Sequence, residues 1–245
     1  MRDPSNVDVQ GLAAAFDVVG TGRTLQVEVY ERMCAALMDG RLRPGQRISI
    51  RNLAAAMNTS PMPIREAVKR LEAIHVIELN PGRVITVAKL TAEDLKEIRD
   101  IRISLEGLAG RFATEQISTR GIAALTRMAH DMHRQWESTT DISRMLRANK
   151  EFHFGIYQAA QRPILVTMIK TLWIRVAPFF YEICRNKGHV DFSIEQHLKI
   201  VEALRRRDPD GVAEGIAADI GRAADQLLKH TSSDGKAARK HVASP

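Results

Sequence analysis

The chain has 245 residues, 44% of them hydrophobic, and a formal net charge of +7. That length can bury the core of one large domain or two small ones, and the basic balance suits an acidic partner such as nucleic acid. The 5% aromatic content argues against a single-strand stacking platform, and two distant cysteines with no CxxC argue against a disulfide framework and for a reducing cytoplasm. No run approaches the roughly 18 apolar residues of a membrane span.

Residues 1–24, MRDPSNVDVQGLAAAFDVVGTGRT, hold three acids and a short apolar patch. They read as a mobile arm, not as a signal peptide. Leu25, Val29, Met33, Ala36 and Leu37 then recur on one helical face, and Gly40 ends that helix. RLRPGQRISI reads as a loop turning at Pro44-Gly45. A short helix over 50–57, a three-residue turn and a second helix starting near Pro61 make a helix-turn-helix. In NTSPMPIREAVKRLE, Ser60 can cap and Pro61 can open the second helix, because a first-turn N–H has no intrahelical partner to lose. Pro63 still sits in that turn. Ile64, Ala67, Val68 and Leu71 form its buried face, while Arg65, Lys69 and Arg70 point elsewhere. VIELNPGRVITV reads as two strands around Asn80-Pro81-Gly82, a wing. Between Arg41 and Arg70, seven basic residues (Arg41, Arg43, Arg47, Arg51, Arg65, Lys69, Arg70) oppose one acid, Glu66. Most of the excess charge therefore lies on the unit that would touch DNA.

The stretch Tyr30–Val87 closely resembles the winged helix-turn-helix of GntR-family transcription regulators. The resemblance rests on Gly40 with Pro44-Gly45, Leu53-Ala54, Ser60, Pro63–Val68 (PIREAV), Arg70-Leu71-Glu72 and a glycine in the wing. It implies DNA contacts from Arg51, Ser60, Met62 and Arg65, with the wing tip at Gly82 and Arg83 entering the minor groove. Where the family usually carries arginine this chain has Pro61, which cannot supply a bidentate reader.

From Thr91 onward the pattern is helical throughout, with segments near 91–115, 119–138, 141–160, 163–186, 193–207 and 209–229. Thr91 opens a capping box, Ser193 with Gln196 reads as another, and Asp208-Pro209 as an N-cap before a first-turn proline. The fold class is therefore mainly α: a winged helix-turn-helix over 25–88 and an all-α bundle over 91–230. Residues 231–245 read as a flexible tail.

Four of these helices place polar groups among apolar ones. Asn149 and His153 share the face of Ile142, Met145, Leu146, Phe152, Ile156 and Tyr157. His197 falls among Ile194, Leu198, Val201 and Leu204. Asp219 lies beside Val212, Ile216 and Ile220, and Arg102 lies on the seam of Leu95, Ile98, Leu105 and Phe112. Buried polar groups are costly without partners. They can partner one another in a metal-free cluster, or hold a ligand. Two imidazoles, a carboxylate and an amide oxygen suit a divalent transition metal such as Zn²⁺ or Ni²⁺. His130 and His133, three apart, read as a solvated helix face, and Arg205–Asp210 (RRRDPD) as a solvated helix end.

IRDIRISLEGLAGRFA, NKEFHFGIYQAA and HLKIVEALRRRDPDGVAEGIAADI resemble the all-α effector domain, called FCD, of the FadR-like branch of the same family. By that resemblance Asn149, His153 and His197 line a metal site, and Arg102 holds the carboxylate of an organic acid, with Glu106 beside it. Asn149 stands where Asp is frequent, and Asp219 stands where a third His is usual. The set keeps one anionic ligand and two imidazoles.

The expected protein is a homodimeric, cytoplasmic, nucleoid-associated regulator, a repressor like most of the family. It binds a palindromic operator in double-stranded DNA and answers to a small carboxylate, with no membrane partner. Two other classes compete with this reading. A metal-dependent hydrolase would use the histidines to activate water, with Glu106 as base, but has no need of a DNA-binding head. An architectural DNA-binding protein without effector leaves the inward polar residues unexplained.

Overall fold

The computed structural model of the chain describes residue 16 and residues 24–81, 84–138 and 141–242. Gly82 and Arg83 at the expected wing tip lie outside the described residues, as does the expected arm apart from Phe16 and Thr24. The chain divides into two compact units. One runs up to Lys89 and also takes in Trp173–Phe179; the other covers Leu90–Leu172 and resumes at Phe180.

The first unit opens with α1 (Leu25–Met38), whose Val29, Met33 and Leu37 are fully buried. The expected loop after it holds a strand, β1 (Arg47–Ser49), antiparallel to β3 (Val84–Val87), which also pairs with β2 (Ile77–Asn80). The sheet order is β1-β3-β2. Three residues give too short an alternation to read as a strand; the partner strand decides it. Ile48, Ile77, Ile85 and Val87 are all buried, so the sheet presents one apolar face.

Between β1 and β2 lie α2 (Ile50–Ala56) and α3 (Pro61–Ala73). The Ser49 hydroxyl caps α2 by accepting from the Asn52 N–H at 3.0 Å. Asn58 turns the chain with a left-handed φ of 49°, a conformation that asparagine tolerates better than most residues. Ser60 takes the extended N-cap backbone, but its hydroxyl makes no capping bond. Pro63, Ile64, Ala67, Val68 and Leu71 are buried.

Six helices follow among the described residues, all in the second unit except the Trp173–Phe179 part of α7: α4 (Ala92–Gln116), α5 (Thr119–Ser138), α6 (Ile142–Ala159), α7 (Pro163–Ile183), α8 (Lys187–Arg205) and α9 (Pro209–Val242). Thr91 and Asp94 form the reciprocal capping box on α4. Asp208 caps α9 by accepting from the Gly211 N–H at 2.9 Å.

Several local expectations are corrected. α8 starts at Lys187 with Asn186 as its cap, so Ser193 lies inside the helix and its hydroxyl is free for tertiary bonding. On α4 the buried side chains are Leu95, Ile98, Arg102, Glu106, Ala109 and Ala113, while Leu105 and Phe112 are half-buried. Arg207 donates to the carbonyls of Thr114 and Ile117 at 2.8 Å each and closes the end of α4, so that part of RRRDPD is not a purely solvated end. α9 runs on beyond His230 to Val242. By length and composition α7 is apolar enough to cross a membrane. Lys170 and Arg175 interrupt its apolar run and hid this in the sequence. Trp173, Ile174, Val176, Ala177 and Phe180 on it are buried in the fold.

Candidate functional site

On the first unit the outer side of α3 carries Met62, Arg65, Glu66 and Lys69, opposite the buried Ile64, Val68 and Leu71. Lys69 pairs with Glu66 at 3.0 Å. The Arg70 guanidinium lies 3.7 Å from the centroid of the Tyr30 ring, and Arg41 pairs with Asp39 at 3.1 Å. Three of the seven clustered basic residues thus serve the fold. Arg51 is exposed and Arg65 half-buried, and neither makes an ion pair among the described residues.

The second unit gathers a buried polar cluster from four helices. From α6, His153 places Nε2 3.1 Å from His197 Nε2 on α8 and 3.1 Å from Asp219 Oδ2 on α9. The third edge, His197 Nε2 to Asp219 Oδ2, is 3.8 Å. A tetrahedral site with bonds of about 2.0–2.1 Å has edges of about 3.3 Å, so these three atoms stand at the spacing of ligands to one ion. Among the described residues they form the group of His and carboxylate side chains that could hold a metal.

The proton count favours a cation at that centre. Tyr157 donates its hydroxyl hydrogen to Glu106 and stands 3.1 Å from His153 Nδ1. The Tyr157 oxygen then accepts from Nδ1–H, which leaves His153 Nε2 as a lone pair, a tautomer assigned from the network. Ser193 donates to Asp219 Oδ1 at 2.7 Å. So Nε2 of His153 and Oδ2 of Asp219 face each other as acceptors. His197 can bring at most one proton to the centre while neutral, and its Nδ1 is buried without a hydrogen bond.

Electrostatics agree with this arrangement. Burial lowers the pKa of His197 against the opposing pull of Asp219, which keeps the imidazole neutral and able to ligate. Burial works to raise Asp219, but the two imidazoles beside it, His153 and His197, overcome it and hold the carboxyl well below its usual range. Burial, with Glu106 beside it, pushes the Tyr157 hydroxyl well up, so it stays a donor. Arg102 is committed to Glu106, with Nε at 2.5 Å from Oε1 and Nη2 at 3.3 Å from Oε2. One chain of contacts therefore runs Arg102–Glu106–Tyr157–His153–Asp219–Ser193.

Residues 25–87 match the bacterial regulatory proteins of the gntR family, and residues 97–222 match the FCD domain. The transcriptional regulator McbR of Escherichia coli is 30% identical over 205 residues, covering 81% of this chain and 92% of that protein. This chain is a GntR-family transcription regulator. The solved E. coli McbR/YncC structure overlays with a TM-score of 0.79 at 26% identity, covering 85% of this chain and 99% of that one. The Nta operon transcriptional regulator of Aminobacter aminovorans is 30% identical, covering 76% of this chain and 87% of that protein. The family and these relatives are regulators rather than enzymes, and the GntR head makes this chain a DNA-binding regulator.

Within this GntR regulator, His153, His197 and Asp219 come together, and Arg102 and Glu106 join them through Tyr157. Asn149 sits one turn before His153, half-buried, with no hydrogen bond to the cluster among the described residues. His130 and His133 are exposed on α5. Sequence reasoning missed Tyr157, Ser193 and the buried His189. The i, i+4 spacing of His153 with Tyr157, and of His189, Ser193 and His197, was the available signal.

Proposed function

We propose that this regulator is a homodimeric, cytoplasmic repressor whose helical domain binds a divalent transition metal and, through it, a small organic acid. The carrying observation is the convergence of His153 Nε2, His197 Nε2 and Asp219 Oδ2 on one centre with too few protons to satisfy them. Asn149, one turn before His153 on the same helix, is proposed to complete the set as a neutral oxygen donor. Two imidazoles with one carboxylate suit Zn²⁺ or Ni²⁺. Such an ion supplies a Lewis-acidic position for a carboxylate oxygen.

The chain's own residues do the rest. The Tyr157 hydroxyl fixes the ring of His153, and Ser193 fixes Asp219, as outer partners of metal ligands do. Arg102, paired with Glu106 on the same network, is proposed as the anchor for the acid. Arg51, Ser60, Met62, Arg65, Gly82 and Arg83 are the residues proposed to meet DNA, and a two-fold dimer calls for a palindromic operator. A relative named as the repressor NanR, from Cronobacter sakazakii and 25% identical over 182 residues, supports the repressor reading. Effector binding regulates only if its affinity differs between the DNA-competent and DNA-incompetent states.

Calorimetric titration of the chelator-stripped protein with Zn²⁺ or Ni²⁺ tests the site. Binding of one ion per chain is expected, abolished by His153→Ala with His197→Ala. Equal binding by the double variant would refute these ligands.

A further inference from the structure

We propose that Met62 reads a thymine methyl group at each end of the operator contact, so that an apolar side chain sets base preference where the α3 helix enters the groove. DNA binding itself is the established activity of the family; the structure adds which chemistry the first turn of this helix can offer.

The outer face of α3 carries Met62, Arg65, Glu66 and Lys69 at one-turn spacing. Met62 is 61% exposed in the first turn of the helix, so its thioether is open to a partner. Its neighbours on the helix offer little polar competition. Pro61 and Pro63 have no N–H, which removes two of the first-turn donors that could grip a phosphate or a base edge. Further along the face, Lys69 is paired with Glu66. Arg65, one turn from Met62, is the charged side chain left to find a guanine or a phosphate.

A base pair shows the major groove hydrogen-bonding atoms and, for thymine alone, a methyl group. A thioether with no hydrogen-bond donor cannot tell guanine from adenine by their edges. It gains by covering the thymine methyl, and an exposed flexible methionine can reach and cover it without displacing a core residue. The first residues of a recognition helix are those that meet base edges. Met62 therefore selects thymine one step outside the base or phosphate taken by Arg65.

The test begins with the full chain selecting duplexes from a random library. Each thymine of the enriched half-site is then replaced by deoxyuridine, which removes only the methyl group. One position per half-site is expected to weaken binding about fourfold, the effect of one buried methyl. The Met62→Ser variant should bind the thymine and uracil duplexes equally. Its melting temperature, unchanged because the side chain is exposed, confirms that it folds. Three results would overturn the proposal: no thymine sensitive to loss of its methyl, a sensitivity that persists in Met62→Ser, or a library from which no sequence is enriched.

Discussion

At the scale of single residues, His153 is the pivot of the helical domain. Its Nδ1 meets Tyr157 and its Nε2 meets both His197 and Asp219. Tyr157→Phe removes the outer partner and leaves the three ligand atoms in place. Competition against a chromophoric chelator should show Zn²⁺ affinity falling by about 10- to 100-fold; an unchanged affinity would mean that Tyr157 does not orient the ligand. His189 carries a different prediction. Burial lowers its pKa, against Asp219, which raises it, and together with Arg222 and His197, which lower it further. The folded state thus prefers neutral His189. Its contribution to stability is present above the ordinary histidine pKa of about 6.5 and is lost as pH falls through the lower folded value. The melting temperature of the wild type should drop between pH 7.5 and 5.5 by more than that of His189→Gln. Parallel curves would remove His189 from the account.

At the scale of elements, α4 and α9 approach closely through Gly110. A Cβ there would lie 2.8 Å from Ile216 Cδ1 and 2.9 Å from Val212 Cγ1. Gly110→Val should cost about 1–3 kcal/mol by overpacking, read from urea unfolding midpoints. Because α4 carries Arg102 and Glu106 and α9 carries Asp219, the same change should also weaken metal binding. How much could be read in advance follows from the range of the forces involved. Starts of helices were legible where local chemistry sets them, as at Thr91–Asp94 and Asp208-Pro209. The polar residues on apolar faces were legible as periodicity, and His153, His197 and Asp219 meet as a result. β1 was not legible, because pairing with β3 creates it. Ser193 was misread as a cap because its short-range pattern with Gln196 was real, while the acceptor that claims its hydroxyl is Asp219, 26 positions away. Tyr157 passed as a core aromatic because burial alone does not reveal the partner of its hydroxyl.

At the level of the whole molecule, DNA contact and ligand binding fall to separate sets of residues. Arg65→Ala should abolish retention of operator DNA in a salt-controlled binding assay and leave bound metal unchanged. Loss of both would show that the sets are not separable. The central claim, a metal centre inside a DNA-binding regulator, is tested most directly by native mass spectrometry with elemental analysis. The full chain is purified without chelator beside the His153→Ala/His197→Ala variant. About one Zn²⁺ or Ni²⁺ per wild-type chain is expected, and none in the variant. Metal absent from both, or equal in both, would contradict that claim.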